Sequence, residues 1–348
     1  MVAMIGEGEQ LRGVQLPIQS KSPTFVQPWE ADAGPAELAR IAAAADESRL
    51  GYVAVCDHVA VPTDLNISST WYDTVATLAW LGARCPNLWL LSHVYVAAYR
   101  HPLAVAKSFA TLDALTGGRV ILGVGAGHVQ REFEALGVNF DDRGSALEEA
   151  IVAVRTAFEA ANPGDVDAGF SLVGKRYPAT SVRVGPAPTR PGGPPIWVGG
   201  SSPAAVRRAA QLGDGWLPQG PPKGGMRAAI QRIGELREAA GRVDEPFAVG
   251  VLCEPIRLGD PIEGQPDYTL SGPAENVADR LARYASRGIN QLQLSLLATS
   301  VDDYCDQLLR FGQEAALHLP PPPALLVTVT ATVSFLSSSG LLFNFLML

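Results

Sequence analysis

The 348-residue sequence has only four cysteines, Cys56, Cys85, Cys253 and Cys305, with no C-x-x-C pair and no histidine placed to complete a zinc set. A metal centre and a dithiol redox motif are therefore not expected, and reduced thiols in a cytoplasmic protein are. No basic cluster is present. Against 35 Asp and Glu stand 27 Lys and Arg, a net charge of −8, which argues against nucleic acid as a partner. The first ten residues carry Glu7 and Glu9 and lack an apolar run, so no secretory leader is expected. No H-x-H pair or lysine–carboxylate cluster suggests a metal hydrolase.

Charge also vanishes at the far end. After Leu319 comes the run Pro320–Pro323, and residues 324–348 hold no charged side chain. That length suffices to span a bilayer. Yet Thr328, Thr330, Thr332 and the serines at 337–339 interrupt it, no Lys or Arg flanks it, and its Val–Thr alternation reads as readily as a strand. The expectation is a folded domain over 1–319 and an appended tail over 320–348 outside the fold, with no firm membrane partner.

What the chain does have is a large supply of core residues, 47% apolar, arranged in a repeating rhythm. Strand-like runs at 14–18, 52–56, 88–97, 120–124, 196–198, 215–217, 247–253 and 289–296 alternate with helical patterns. The helices fall at 35–50, 73–83, 101–115, 148–161, 203–212, 226–240, 274–287 and 301–317. Strands alternating with helices imply a parallel sheet. Eight of them predict a closed (β/α)8 TIM barrel, with the Gly- and Pro-rich stretch 162–195 inserted between strands four and five.

Such a barrel gathers its chemistry at the C-terminal ends of its strands. Those ends carry Asp57-His58, His93, Gly125-Ala126-Gly127-His128, Gly199-Gly200-Ser201, Gln219 and Cys253-Glu254. His58 is suited to proton transfer at a bound ring; alternatively, Asp57-His58 is a loop pair serving local backbone groups. The glycines at 123–127 lack G-x-G-x-x-G spacing, which excludes a dinucleotide fingerprint. They permit either close approach to a flat ligand or a tight turn. Gly199-Gly200-Ser201-Ser202-Pro203 combines a strand end with a capped helix start, a site for phosphate or simply a well-formed helix. His93 is either inward-facing at the mouth or a satisfied core histidine, and Trp71 and Tyr72 either line a pocket or close their own loop.

Several stretches together are similar to the luciferase-like monooxygenase superfamily, in particular its F420-dependent oxidoreductases. They are Gly51–His58, Tyr99–Lys107, Thr111–Gly127, Glu132–Gly137, Pro195–Ser201 and Gly213–Pro218, and the likeness extends over about residues 11–317. The resemblance implies a flavin-type ring across the barrel mouth, with His58 and Asp57 as catalytic residues. It also implies a non-prolyl cis peptide at His93-Val94 behind the ring, with His93, Val94, Gly125, Ala126, Gly127, His128, Gly199, Gly200 and Ser201 holding the cofactor. His128 stands where an acidic residue serves in sugar-phosphate-oxidising relatives, which argues against that substrate. The implied function is hydride transfer between coenzyme F420 and a small organic substrate, in a homodimer. The alternatives are an FMN-dependent monooxygenase using O2 and a catalytically silent flavin-binding protein.

Overall fold

The computed structural model describes residues 5–21, 26–48, 50–65, 68, 70–161, 169–323, 335–336 and 342–343. Eight strands pair in parallel in chain order: β1 (Leu11–Gln15), β2 (Tyr52–Val55), β3 (Trp89–Ser92), β4 (Val120–Gly125), β5 (Ile196–Gly199), β6 (Gly215–Leu217), β7 (Ala248–Leu258) and β8 (Gln291–Leu296). Leu11 of β1 pairs with Gln291 of β8, which closes the barrel.

Around it pack α1 (Pro35–Glu47), α2 (Thr74–Gly82), α3 (Pro102–Leu115), α4 (Gln130–Ala135), α5 (Arg143–Ala160), α6 (Pro203–Leu212), α7 (Gly225–Ala239), α8 (Ala274–Ala285) and α9 (Val301–Arg310). Their starts are written locally. Asp73, Ser202 and Ser300 accept from the backbone N–H of Ala76, Ala205 and Asp303, and proline occupies the first turn of α1, α3 and α6.

The strands are apolar on both faces because each serves two cores. Tyr52 and Ala54 of β2 and Trp89 and Leu91 of β3 point into the barrel with Ile121, Trp197 and Leu217. Val53, Val55 and Leu90 face the helices. Continuing this period of two along β1, β3 and β8 places Gln15, His93 and Gln293 on the inward side at the C-terminal mouth. The barrel interior is thus largely apolar at its base, where Gln291 bonds to the Tyr52 hydroxyl, and polar at its top.

Several boundaries depart from expectation. The first strand runs from Leu11 to Gln15, not to Ile18; Ile18 turns out of the strand with φ +71°, its N–H donating to the Glu30 carboxylate at 2.9 Å. The third strand is split: β3 ends at Ser92, a cis peptide joins His93 to Val94, and Tyr95–Val96 then pairs with β4. The final α-helix stops at Arg310 and continues as π and 3-10 turns to His318.

Between α5 and β5 lies an antiparallel hairpin, Phe170–Leu172 with Ala179–Val182; residues 162–168 of the stretch expected to be inserted lie outside the described residues. At the base of the barrel, the Arg12 guanidinium donates to the Pro320 carbonyl at 2.7 Å and the Gln10 N–H to that of Pro321 at 3.0 Å. Contact with the barrel therefore continues past the boundary expected at 319. Most of the tail, including its Val–Thr run, lies outside the described residues. Phe335–Leu336 and Leu342–Phe343 form a short antiparallel pair. Among the described residues no helix is long and apolar enough to cross a membrane.

Candidate active site

A cavity of about 820 Å³ opens at the C-terminal ends of the strands. The residues that the resemblance implies, from Asp57 and His58 round to Gly200 and Ser201, line it, as do Trp71, Gln219 and Cys253, whereas Tyr72 and Glu254 do not. Glu30, Glu132, Arg143 and Gln293, to which sequence reading assigned no role, also line it. So does Arg208, which the sequence places with Arg207 within two turns of the expected phosphate site, either beside it or turned to solvent.

His58 is an ionisable group lining this space. Its Nδ1 lies 2.9 Å from Glu132 Oε2, and the other Glu132 oxygen accepts the backbone N–H groups of Val59 and Ala60. Glu132 is 2% exposed. Burial pushes its carboxyl up, but the bonds from His58, Ala60 and Val59 outweigh this and hold it below the usual range. An ionised carboxylate can only accept, so Nδ1 carries the proton, and Nε2 has no hydrogen-bond partner among the described residues. The Trp71 ring meets the imidazole edge-on, centroids 4.4 Å apart, and His128 stands beyond at 5.8 Å. Burial and the adjacent His58 both lower the pKa of His128.

Asp57, beside His58, is held on all sides. Arg100 grips its carboxylate at 2.6 and 3.0 Å, the Val96 N–H donates at 2.8 Å and the Thr74 hydroxyl at 3.1 Å. With both oxygens engaged, the carboxylate has little capacity left for a ligand. Asp57 ties the end of β2 to the chain after the cis peptide and, through Thr74, to α2.

The glycines also have a packing reason. A Cβ at Gly199 would lie 2.7 Å from Val94 Cγ1, and one at Gly125 would collide with Cγ2 of the same valine. Val94 thus wedges between the ends of β4 and β5, in space that only glycine leaves open. Gly127, at φ +79°, has Phe133 and Val96 where a side chain would go.

At the far side, Gly200 and Ser201 lead into the N-terminus of α6, where backbone N–H groups and the helix dipole favour an anion. Arg143 and Arg208 reach the same cavity. Arg208 donates to Glu148 and to the Gly144 carbonyl, and its Nε is buried with no partner among the described residues. Ser201 is turned away, its hydroxyl donating to the Gly220 carbonyl at 2.6 Å. The remaining expected residue, His93, is buried beneath the mouth against Gln219, at 2.9 Å.

Comparison with known proteins places this geometry in a family. The profile of the luciferase-like monooxygenases matches residues 17–263. The F420-dependent hydroxymycolic acid dehydrogenase of Mycobacterium tuberculosis is 32% identical over 181 residues, 51% of this chain and 47% of that protein. The chain spans about half the length of the curated relatives it matches. Among solved structures, the coenzyme F420-dependent tetrahydromethanopterin reductase of Methanopyrus kandleri superposes with a TM-score of 0.68 at 17% identity, covering 89% of this chain and 99% of that one. The oxygenating constituent of 3,6-diketocamphane monooxygenase from Pseudomonas putida, in complex with FMN, gives 0.66 at 15% identity, covering 90% and 100%. The fold is shared across all of these, and the chain belongs to the luciferase-like monooxygenase family.

Proposed function

We propose that this protein is an oxidoreductase that uses a flavin-type cofactor, and more narrowly that it transfers a hydride between coenzyme F420 and a small organic substrate. The observation that carries the reading is His58: it lines the cavity, anchored through Nδ1 on a buried carboxylate, with no hydrogen bond at Nε2 among the described residues. The choice of F420 leans on relatives near 30% identity whose names carry that cofactor.

The residues present suit such a group. Val94 supplies an apolar wall, while the start of α6 with Arg143 and the unpartnered Nε of Arg208 would hold an anionic side chain. When bound, a deazaflavin ring supplies a carbon that accepts or returns hydride. The protein's own contribution is to bind and orient. His58 Nε2 takes the proton from a substrate hydroxyl or returns it to a carbonyl, with Glu132 fixing the ring and stabilising the imidazolium. Trp71, edge-on to His58, narrows the entrance on that side.

The test is to titrate the full chain separately with F420 and with FMN, following visible absorbance and fluorescence. Tight binding of F420 alone supports hydride transfer. Tight binding of FMN alone replaces it with oxygen chemistry, and binding without turnover over a broad alcohol and carbonyl panel supports a silent flavin-binding protein. Binding of neither defeats the proposal.

A further inference from the structure

The cavity lining is divided by charge, and the order of the strands fixes where the division falls. Arg143, Arg208 and the start of α6 follow β4 and β5. Across the barrel from them, in the arc β7–β8–β1, no lysine or arginine lines the cavity among the described residues. The arc ends against β2, after which His58 stands.

Charged side chains near this arc are engaged elsewhere. Relative to β8, β7 holds one extra residue between Leu252 and Pro255, and Glu254 in this bulge accepts from the Tyr284 hydroxyl at 2.6 Å, outside the cavity lining. Arg257 donates to both oxygens of Asp303 at 2.7 Å. Glu30 does line the cavity, but it is 2% exposed and its oxygens accept the N–H groups of Ile18 and Gln27, each at 2.9 Å.

What the arc exposes is apolar surface and one hydroxyl. Leu252 is 39% exposed and lines the cavity. It pairs with Gln293 of β8, and paired residues of neighbouring strands share a face, so it lies on the inward side. Ser295, two residues further along β8, keeps that face; it is exposed, and its hydroxyl has no hydrogen-bond partner among the described residues. Pro17 and Trp71, both half-buried, extend the wall towards His58. Trp71 is held beside the chain that follows β1, where the Tyr72 N–H donates to the Gln19 carbonyl at 2.9 Å and the Lys21 N–H to that of Thr70 at 3.1 Å.

We infer that this arc is the subsite for an uncharged, apolar substrate body, and that Leu252 and Ser295 set the preference. A carboxylate or phosphate placed there loses hydration against Leu252 and Pro17 with no cation to replace it. A hydrocarbon body carries no such cost and gains by covering Leu252. The Ser295 hydroxyl both donates and accepts, so it tolerates a carbonyl, ether or hydroxyl group on that body. That the occupant is the partner in hydride transfer rests on the function proposed above; the preference for an uncharged ligand does not.

The test uses the full chain with 13C-labelled leucine methyls and probes that share one ring: cyclohexanone, cyclohexanecarboxylate and cyclohexylamine. The Leu252 resonance is identified by its loss in Leu252→Met. Cyclohexanone at millimolar concentration is expected to shift it, with a Kd at least tenfold below those of the two charged probes. Leu252→Arg, at a position already open to the cavity, is expected to reverse the order of cyclohexanone and cyclohexanecarboxylate. Ser295→Lys is expected to do the same and serves if the first variant does not fold. An unchanged order in both variants overturns the assignment to these residues. Equal or tighter binding of a charged probe by wild type, or no response to cyclohexanone, overturns the inference as a whole. So does loss of the Leu252 response once F420 or FMN is bound, which would give the arc to the cofactor. Failure of both cofactors to bind defeats the proposed function, while the response of the unloaded chain still decides the preference of the arc.

Discussion

At the scale of single residues, two histidines on neighbouring strands are set to opposite tasks by what surrounds them. His58 keeps one nitrogen on Glu132 while the other has no hydrogen-bond partner among the described residues, the arrangement of a proton carrier. His58→Ala should lower turnover by ~10²-fold or more while cofactor dissociation constants stay within twofold. An unchanged turnover number would remove His58 from the chemistry. Glu132→Gln preserves an acceptor for Nδ1 but removes the charge that stabilises an imidazolium. Its loss of turnover should be smaller than that of His58→Ala, and an equal loss would mean that the charge, not the placement, is what His58 requires.

His93 is buried and neutral, with its pKa depressed from 6.5 to about 4. The sign of its effect on stability follows from linkage. On acidification the unfolded chain binds the proton first, near pH 6.5, and the folded chain only near pH 4. Stability is therefore intact above pH 6.5 and erodes through this window, by as much as ~3 kcal/mol. His93→Asn should show a shallower fall in Tm between pH 6.5 and 4 than wild type. Parallel curves would mean that His93 does not titrate in this way.

At the scale of elements, the mouth is held by two devices that join strand ends. The first is the Asp57–Arg100 pair, which with the Val96 N–H pins the segment after the cis peptide. Asp57→Ala leaves the buried Val96 N–H without its acceptor and Arg100 without its carboxylate, holding only the Val96 carbonyl and the Tyr95 and Tyr99 rings, and should cost ~3–5 kcal/mol of stability in urea denaturation. A cost below ~1 kcal/mol, the range of an exposed ion pair, would show the clamp to be dispensable. The second is the Val94 wedge. Gly199→Ala should destabilise by ~1–3 kcal/mol through overpacking and weaken cofactor binding with it. Restored stability in the double variant Gly199→Ala, Val94→Ala would identify the wedge as the cause, and continued loss would point elsewhere.

These devices also mark how far the sequence could be read. The eight strands were legible because runs such as Tyr52–Val55 are apolar on both faces and end at Gly or polar residues. Gly215–Leu217 was recoverable despite its brevity because the strand–helix rhythm required an element there. Ile18 misled because an apolar β-branched residue after Val14 and Leu16 continues a strand pattern, and nothing local announces its φ of +71°. The cavity-lining residues were legible as strand ends, whereas their partners were not. Glu132 lies 74 positions from His58 and Arg100 43 from Asp57, and pairings at such separations are set by the closed barrel rather than by any local pattern.

At the scale of the molecule, the barrel is asymmetric from end to end, with the cavity and most of its ionisable lining at one mouth and a closed base at the other. The prolines belong to that base. Arg12 is buried at 4% exposure, and burial lowers its pKa to about 10. The hydrogen bond it makes to the Pro320 carbonyl satisfies a cation already withdrawn from water. Pro322 and Pro323 lie with Trp89 and Leu50 around a smaller hollow there. A chain ending at residue 323 should therefore match the full chain in Tm and in cofactor affinity. One ending at 319 should lose ~1.5–3 kcal/mol, the value of a hydrogen bond to a charged group, with affinity at the opposite mouth preserved. Equal stability of the two truncations would mean that water replaces the proline carbonyls at no cost. A loss of cofactor affinity alongside stability would mean that the base and the mouth are coupled through the barrel.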